Sequence, residues 1–488
     1  MSEAILIASL TTPPSSSGAE LSALPKCVTW LEVRSDLVGD VDPNWLRQHF
    51  AGRLVYSLRS DAEGGNFSAS LDQRRERLIN AVRGHDLVEL EADRDLSPEL
   101  LAAVPVDQRL ISWHGPASDL DGLTAKFKQV STVPASRYKL VSTARSMSDE
   151  LTPLLLLKSL NRSDTIAFSV GQLGFWSRLV ALHLGAPAIF GLVANGRLPT
   201  MEPTINKLVE DYGLPQLRPT RAIYGIAGNP VTQSLSPQLH NAAYRAIDHP
   251  ALFVPFQVES FSEFWNDVVL SGVLDTLGLP INGITVVSPH KEAALSTTKM
   301  VSPMARKAES ANILVRNNGW WLADTTDPEV VSIASNGRSI QMKHKRIAVI
   351  GCGGAGRAIA AALNQSGAGV TLVNRGSERG NHAASLLSLP YRPLRGFNAE
   401  GYDILVNATP VGRDDDEVPF HVENLDQEAV IIDLAYGSRP TPLVAKSMAS
   451  ERVTIDGREI LWGQVQRQFQ MMTGKEMPVR IMRERLGL

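Results

Sequence analysis

Eight short runs of β-forming residues follow one another as far as residue 193, and stretches of helical composition separate most of them. This alternation limits the fold more than any other feature, because strands joined by helices form parallel sheets. Eight βα units in roughly 210 residues predict a (β/α)8 barrel. The runs are Ile5–Leu10, Val28–Arg34, Leu54–Arg59, Leu87–Glu91, Leu110–His114, Tyr138–Ser142, Thr165–Val170 and Ala188–Val193.

Charged residues recur at the same phase of several of these units. Arg34 and Arg59 lie 25 residues apart, and the same interval separates Glu89 from His114 and His114 from Lys139. One βα unit per interval places these side chains on neighbouring strands, near the end of the barrel where active sites are built. Each residue taken singly is more often solvated, but the shared spacing favours a common site.

The residue types at this spacing suit imine chemistry. Lys139 would attack a ketone, which requires burial and nearby cations such as Arg34 or Arg59 to favour the neutral amine. His114 would move a proton, with Glu89 orienting its ring. The alternative is a strand-end lysine that faces water and a histidine in a loop.

These residues also carry a resemblance. Leu31-Glu-Val-Arg34, Ser57-Leu-Arg-Ser60 with Glu63-Gly-Gly65, Val88-Glu-Leu90, Ser112-Trp-His114, Lys139 and Ser177-Arg178 resemble the type I 3-dehydroquinate dehydratases over nearly the whole first half. The resemblance implies a Schiff base on Lys139, His114 as general acid and base with Glu89 as its partner, and substrate contacts from Glu32, Arg34, Arg59 and Arg178. One loop departs: the family usually has Ser-Ala-Pro-Gly-Gln where this chain has Leu198-Pro-Thr-Met-Glu202, so two substrate contacts are replaced.

Residues 213–221 contain two prolines and little periodicity, and we place a domain boundary there. Beyond it, Ser234-Leu-Ser-Pro is typical of a helix start, with Ser236 as N-cap and Pro237 in the first turn. Free N–H groups and two hydroxyls would cradle a carboxylate there. A lone motif of this kind is more often an ordinary capped helix.

A lysine and an aspartate follow in the second half. Gly283–Pro289 is predicted to be a buried strand that ends at a proline, with Lys291 at a helix entrance, and Asp327 follows Asn312 along the chain. At the surface such an ion pair would contribute little. In a cleft it could exchange a proton with a substrate hydroxyl.

A glycine-rich loop predicts a dinucleotide site. Strand Lys345–Ile350 leads into it and helix Ala358–Leu363 leaves it, as a Rossmann βαβ unit requires. The next strand, Gly369–Val373, ends in Asn374-Arg375, where arginine instead of an acidic residue favours the 2′-phosphate of NADP. The ends of two later strands, at Ile404–Thr409 and at Asp433–Tyr436, are expected nearby. The predicted cofactor residues are Gly351, Gly353, Gly354, Ala355, Gly356, Asn374, Arg375, Asn407 and Thr409.

The second half resembles shikimate dehydrogenase along almost its full length, through the segments above together with Pro289-His-Lys291-Glu-Ala-Ala and Gly463-Gln464. The resemblance implies that Lys291 and Asp327 are the catalytic pair. It also implies substrate contacts from Ser234, Ser236, Asn312, Tyr436 and Gln464. Val287 and Thr325 replace a threonine and an asparagine of the family, which leaves the choice between shikimate and quinate open.

These inferences predict an α/β chain of three domains, in the order of a fused plant enzyme. They are a barrel over 1–215, a substrate-binding domain over 221–335 plus 460–488, and a Rossmann domain over 340–459. The main hypothesis is dehydration of 3-dehydroquinate to 3-dehydroshikimate, followed by NADPH-dependent reduction to shikimate. Two alternatives stay open: an active shikimate or quinate dehydrogenase with an inactive scaffold barrel, and a catalytically silent metabolite-sensing regulator.

Composition narrows the partners and the compartment. A formal net charge of −3 gives no reason to expect nucleic acid or a membrane as partner. Only Cys27 and Cys352 occur, so no disulfide framework is expected, and a reducing compartment, the cytoplasm, is favoured. The apolar run Ala4–Leu10 is too short for a signal peptide or a span and is expected to be a strand. No pattern indicates a metal, and the sequence does not give the oligomeric state.

Overall fold

A computed structural model of the chain describes residues 2–193, 202–423, 425–437 and 439–479. The chain forms two compact units. One consists of Met1–Gly225 and Pro230–Ile281, and the other of Ile226–Asn229 and Asn282–Leu488. The predicted three-domain division stays a prediction.

The first unit contains eight parallel strands in one curved sheet. Seven of them are neighbours in chain order, and the last returns beside the first. Within the described ranges no ladder joins β8 to β9, so the barrel is nearly closed. With a short pair at the base, the strands are β1 (Ser2–Glu3), β2 (Ile5–Leu10), β3 (Trp30–Arg34), β4 (Arg53–Ser57), β5 (Leu87–Glu91), β6 (Arg109–Pro116), β7 (Arg137–Thr143), β8 (Thr165–Val170), β9 (Ala188–Leu192) and β10 (Gln216–Leu217).

All eight predicted barrel strands are confirmed, with bounds that differ by at most two residues at either end. Helices between them have the sequence features of helix starts: Ser70 forms a capping box with Gln73, and Asp119 and Thr204 accept N-cap hydrogen bonds. The helices are α1 (Ala19–Ser22), α2 (Ser35–Val38), α3 (Pro43–His49), α4 (Leu71–Ala81), α5 (Pro98–Ala103), α6 (Leu120–Val130), α7 (Leu151–Leu160), α8 (Ser177–Ala181) and α9 (Ile205–Tyr212). Short 3₁₀ turns lie at Asp61–Glu63, Val106–Gln108, Met147–Glu150 and Leu182–Leu184.

The predicted boundary segment 213–221 includes β10, which pairs antiparallel with β1. After it come β11 (Ala222–Gly228), α10 (Ser236–Ala246), β12 (Ala251–Gln257), α11 (Phe261–Glu263), a π-helical turn at Phe264–Val269, and α12 (Val273–Thr276). Helix α10 begins one residue earlier than expected, because Leu235 occupies the N-cap position, and the hydroxyl of Ser234 accepts a hydrogen bond from the Ser236 amide at 3.2 Å.

The second unit contains two sheets. In the first, β13, β15, β16 and β14 follow one another in that order. In the second the order is β19-β18-β17-β20-β21-β22, and every pairing is parallel. The strands are β13 (Ile281–Val286), β14 (Met300–Val301), β15 (Ile313–Asn317), β16 (Trp320–Asp324), β17 (Arg346–Ile350), β18 (Gly369–Asn374), β19 (Tyr391–Pro393), β20 (Ile404–Asn407), β21 (Val430–Asp433) and β22 (Thr454–Ile455).

The order of the parallel sheet is that of a doubly wound Rossmann fold, with the switch point between β17 and β20. Both faces are covered, since apolar clusters lie on each side of the strands. The helices are α13 (Lys291–Leu295), α14 (Pro303–Ala308), α15 (Glu329–Ser332), α16 (Gly354–Gln365), α17 (Ser377–Leu387), α18 (Pro442–Ala449) and α19 (Gly457–Thr473), with a π-helical turn at Ile333–Gly337. Among the described residues, no helix has the length and apolarity that crossing a membrane requires.

A buried ion network stabilises one side of the barrel. Arg74 of α4 is 2% exposed and binds both carboxylate oxygens of Asp95 at 2.7 Å. Glu91, at the end of β5, lies 3.4 Å from the same guanidinium. A buried charge of this kind needs partners, because the interior solvates it poorly.

We expect Arg74→Ala to lower the free energy of unfolding of the barrel by about 3–5 kcal/mol, because the buried Asp95 loses its cation and Glu91 keeps only the more distant Arg94. Urea unfolding followed by circular dichroism measures this change. The matched control is Arg75→Ala, whose guanidinium pairs with Asp72 and Glu99 at the surface. It should change stability by about 1 kcal/mol or less, and an equal loss in both variants would contradict the expectation.

Candidate active sites

Lys139 lies inside the barrel. Its side chain is 2% exposed, and its Nζ lies 2.5 Å from Glu89 Oε1 and 3.9 Å from Glu32 Oε1. The ammonium also lies over the ring of Phe190, 4.7 Å from its centroid. These partners come from β5, β3 and β9, so the amine points into the barrel interior. The charges in direct contact with the amine are these two carboxylates. The expectation that nearby cations such as Arg34 or Arg59 favour the neutral amine stays a prediction.

His114 has a different carboxylate partner from the one expected. Its Nδ1 lies 2.8 Å from Glu63 Oε2, and the same oxygen accepts a hydrogen bond from the His114 amide at 3.0 Å. The prediction that Glu89 orients the ring is therefore wrong, because Glu89 contacts Lys139 instead. Glu63 lies in the 3₁₀ turn after β4, outside the strand repeat on which the prediction rested.

Burial and neighbouring charges tune the protonation of this cluster. Burial, with the cations Arg59 and Lys139, holds the pKa of His114 well below its usual range. Burial and the carboxylates Glu91 and Glu89 raise the pKa of Glu63 to about 8. Burial also acts on Glu89, but Lys139 and Arg59 outweigh it and hold the pKa of that carboxyl well below its ordinary value. At neutral pH His114 is thus a neutral imidazole that can accept a proton.

The other barrel residues expected to hold substrate lie near the same strand ends. Glu32 accepts hydrogen bonds from Ser9 at 2.5 Å and Ser57 at 2.9 Å, and Arg34 binds Asp36 through two hydrogen bonds of 2.8 and 2.9 Å. Arg59 is half-buried. Arg178 is buried at the start of α8, and Leu198 lies outside the described residues.

A buried carboxyl fixes the turn that carries Arg178. Glu150 Oε2 accepts a hydrogen bond from the Ser177 amide at 2.8 Å. Burial raises the pKa of Glu150 to about 8. The group is therefore mostly a neutral acid at pH 7, and it supports the start of α8 without placing a second full charge beside the guanidinium.

The second unit holds a lysine and aspartate pair. Lys291 is the first residue of α13, as predicted, and its Nζ lies 2.9 and 2.8 Å from the two oxygens of Asp327. The lysine side chain is 19% exposed and the aspartate 2%. The buried aspartate therefore fixes one side of the ammonium, and the other side is open to a reacting group.

Three further side chains orient Asp327. Its Oδ1 accepts hydrogen bonds from Asn312 at 3.1 Å and from Gln464 of α19 at 3.0 Å, and Thr325 donates to Oδ2 at 3.4 Å. Asn312 and Gln464 were expected to contact substrate; both donate to the Asp327 carboxylate, and their contact with substrate stays a prediction. Sequence reasoning missed Gln468, one helical turn beyond Gln464, which donates to Thr326 at 3.0 Å.

The remaining predicted substrate contacts are Ser234, Ser236 and Tyr436. Ser234 and Ser236 belong to the first unit, at the start of α10. Tyr436 is half-buried and lies beyond β21, which ends at Asp433, whereas the sequence predicted a strand from 433 to 436. The roles of all three in binding stay predictions.

The glycine loop has the shape that a pyrophosphate site needs. Gly351 has φ +105°, and a Cβ on Gly356 would lie 1.8 Å from the Gly351 carbonyl oxygen. A Cβ on Gly353 would meet no atom within 4 Å, so open space lies over the loop. Helix α16 begins at Gly354, earlier than predicted, and Ala355 lies in its first turn, where amide groups have no intrahelical acceptor.

Strand ends surround this loop. Asn374 Oδ1 accepts a hydrogen bond from the Cys352 amide at 3.1 Å. Asn407 donates to Asp433 at 2.8 Å and accepts from the Thr409 hydroxyl at 2.6 Å. Arg375 is exposed just after β18. The switch point thus carries the predicted residues, while contact with a cofactor stays a prediction for each. No cluster of His, Cys, Asp or Glu able to hold a metal occurs among the residues described.

Comparison with known proteins gives the same two parts. Residues 18–217 match the family model described as Type I 3-dehydroquinase, and residues 226–314 match the Shikimate dehydrogenase substrate binding domain. A bifunctional 3-dehydroquinate dehydratase/shikimate dehydrogenase of Arabidopsis thaliana, named as chloroplastic, is 27% identical over 484 residues, which is 92% of this chain and 78% of that protein.

Two further comparisons concern the second half. A shikimate dehydrogenase (NADP(+)) of Methanocella arvoryzae is 31% identical over 268 residues, covering 53% of this chain and 96% of that protein. A quinate dehydrogenase from Corynebacterium glutamicum, solved in complex with NAD, superposes with a TM-score of 0.50 at 23% identity, covering 55% of this chain and 100% of that one. The latter likeness shows the fold alone.

The fold, together with these matches, defines a chain that joins a (β/α)8 lyase barrel to a Rossmann-fold oxidoreductase. Through its second half the chain belongs to the shikimate dehydrogenase family, and its first half is a type I 3-dehydroquinase domain. The predicted pairing of these two families is confirmed.

The raised pKa of Glu150 predicts a pH dependence of barrel stability. The pKa rises from about 4.5 in the unfolded chain to about 8 in the fold. The stability from the protonated group is therefore fully present below pH 4.5 and is lost as pH rises through 8. Glu150→Gln mimics the neutral acid, so its stability advantage over the parent should grow by several kcal/mol between pH 5 and 9.

The measurement is urea unfolding of both proteins at several pH values. The exposed change Glu76→Gln, on α4, serves as control and should show no such trend. A constant difference between Glu150→Gln and the parent across this range would mean that the buried carboxyl stays charged.

Proposed function

We propose that this protein dehydrates 3-dehydroquinate to 3-dehydroshikimate in its barrel and then reduces the product to shikimate with NADPH in its second half. The observation that supports this proposal best is the buried Nζ of Lys139 against Glu89, with His114 on the neighbouring strand and Glu63 bound to its ring. Covalent catalysis by an amine needs this combination of a sheltered nucleophile and a proton-transfer group.

In the first reaction, Nζ of Lys139 attacks the ketone carbon, and loss of water gives an imine. Glu89 positions the amine, and the neutral His114 imidazole is the base available to accept the proton that the amine loses. The cationic imine acidifies the adjacent C–H, and His114 removes that proton. The electron pair left on carbon expels the neighbouring hydroxyl as water, with a proton from His114. Hydrolysis of the imine consumes one water and frees Lys139, so the net change is loss of one water.

The surroundings of His114 make this exchange favourable at neutral pH, because burial and the cations Arg59 and Lys139 keep its imidazole neutral. The lowered pKa of His114 leaves its imidazole free to act as base, and Glu63 at 2.8 Å fixes the ring. Glu32, Arg34, Arg59 and Arg178 would bind the hydroxyls and the carboxylate of the substrate. Arg178 carries the strongest case among them, because two donors of its buried guanidinium, Nε and Nη1, meet no acceptor among the described residues.

In the second reaction, Lys291 donates a proton to the ketone oxygen of 3-dehydroshikimate while hydride reaches the carbonyl carbon. Asp327 holds the ammonium in place from its other side, and Asn312 and Gln464 hold the carboxylate. Ser234, Ser236 and Tyr436 would bind the substrate. Bound NADPH supplies the hydride.

The glycine loop fits this cofactor, because close packing at Gly356 and open space at Gly353 leave room for a pyrophosphate over the start of α16. Gly351, Gly354 and Ala355 complete the turn. Asn374, Asn407 and Thr409 shape the surrounding strand ends, and Arg375 would bind the 2′-phosphate. We further propose the domain bounds predicted from the sequence and a reducing, cytoplasmic compartment.

The imine step predicts a specific adduct. Protein treated with 3-dehydroquinate and borohydride should gain the mass of one reduced substrate- or product-derived adduct, because borohydride reduces the imine to a stable amine. Intact-mass spectrometry measures the gain, and peptide mapping should place it on Lys139. Lys139→Ala should abolish it.

The control Lys158→Ala removes an exposed lysine of α7 and should leave the adduct intact. Equal trapping by Lys139→Ala would contradict the assignment of the nucleophile. A barrel that folds but neither traps nor dehydrates the substrate would favour the alternative of a scaffold barrel beside an active dehydrogenase.

A further inference from the structure

Arg178 stands apart from the other cations of the barrel. Its side chain is 2% exposed, and its guanidinium lies over the ring of Phe168, 4.9 Å from the centroid. Among the described residues, Nε and Nη1 have no hydrogen-bond acceptor, and the carboxylate that meets Nη2 is Glu202, at 3.5 Å. Buried donors without acceptors are costly, so this side chain is prepared to bind an anion.

The carboxylates that pair with Arg34 and Lys139 are more deeply buried than the carboxylate that pairs with Arg178. Asp36, which binds Arg34 at 2.8 Å, has a fully buried side chain, and Glu89, which contacts Lys139 at 2.5 Å, is 5% exposed. Glu202 is 31% exposed, and its contact with Arg178 is the longest of the three. Glu202 can therefore turn into water at little cost, whereas Arg178 cannot leave the interior.

We propose that Glu202 is an internal competitor for Arg178. Its carboxylate occupies part of the guanidinium that a substrate carboxylate needs, and it must be displaced before that carboxylate binds with both hydrogen bonds. This inference rests on the proposed dehydratase function of the barrel. It makes Glu202 a residue that sets affinity for carboxylate-bearing substrates without taking part in the chemistry at Lys139.

The effect of Glu202 on substrate affinity depends on how exposed the Arg178–Glu202 ion pair is. An ion pair with one partner near water contributes little, so displacing it costs only a modest factor in affinity. Like-charge repulsion between Glu202 and an incoming carboxylate acts in the same direction. Together, displacement of the ion pair and charge repulsion predict that Glu202 lowers the affinity for substrate by about three- to tenfold.

The test is Glu202→Gln, which keeps the shape of the side chain and removes its charge. KM for 3-dehydroquinate should fall about three- to tenfold. The kcat should stay within about twofold, because the competition weakens binding of the substrate and of the transition state equally. Glu202→Asp keeps the charge and should not reproduce the fall. Glu76→Gln, which removes the same charge from the exposed face of α4, should leave both constants unchanged.

Three results would overturn the proposal. An unchanged KM in Glu202→Gln would make Glu202 a bystander, and a raised KM would make it a direct contact that favours substrate. A change in kcat together with the urea midpoint would mark a structural effect and would also count against it.

Calorimetric titration of 3-dehydroquinate into the parent and into Glu202→Gln separates this inference from the proposed function. If the parent forms no dehydrated product, the proposed function fails, and the difference in Kd between the two proteins still tests the competition. If the parent turns over and neither KM nor Kd changes in Glu202→Gln, the inference alone fails.

Discussion

The interaction on which the barrel depends is the contact between the buried ammonium of Lys139 and the carboxylate of Glu89, at 2.5 Å. Moving two charges out of water costs several kcal/mol for each ion unless they meet each other and further polar partners. Glu32, Glu89 and Lys139 reach the barrel interior from β3, β5 and β7. The site therefore forms only when these strands come together in the curved sheet. Phe190 of β9 adds an aromatic face to the same amine.

The second lysine is placed under different constraints. Lys291 lies at a helix start with 19% of its side chain exposed, and Asp327 is buried beneath it. Hydrogen bonds from Asn312, Gln464 and Thr325 fix this carboxylate, so the pair has one orientation and one open side. A covalent nucleophile benefits from shelter, whereas a proton donor must reach both substrate and solvent. The two environments match these two tasks.

Local periodicity made much of the fold predictable. The strands at Ile5–Leu10, Leu87–Glu91 and Thr165–Val170 have the predicted bounds, because buried parallel strands are short apolar runs between turn residues. The glycine loop was placed correctly for a similar reason, since strand, glycines and helix are contiguous. The predicted start of α16, Ala358, lies four residues after the observed start at Gly354. Glycines disfavour helix, so the local pattern offered no reason to extend the helix into the loop.

Contacts between distant segments were not predictable in this way. Glu63 lies on a turn, so a rule based on strand phase chose Glu89 as the partner of His114. Gln464 reaches Asp327 across 137 positions of the chain, and nothing in the local sequence separates a residue that binds substrate from one that orients a catalytic group. The exposure of Glu202 beside the buried Arg178 is likewise a property of the folded barrel, and the sequence of residues 198–202 does not predict it.

We propose that two amines in one chain, those of Lys139 and Lys291, perform two separate reactions. The most direct measurement is shikimate formation from 3-dehydroquinate and NADPH by Lys139→Ala, by Lys291→Ala, and by an equal mixture of both. We expect that neither variant alone forms shikimate and that the mixture does, because each variant supplies the step that the other lacks. Shikimate formation by either variant alone would contradict it, as would a mixture that forms none although each variant retains its own half-reaction.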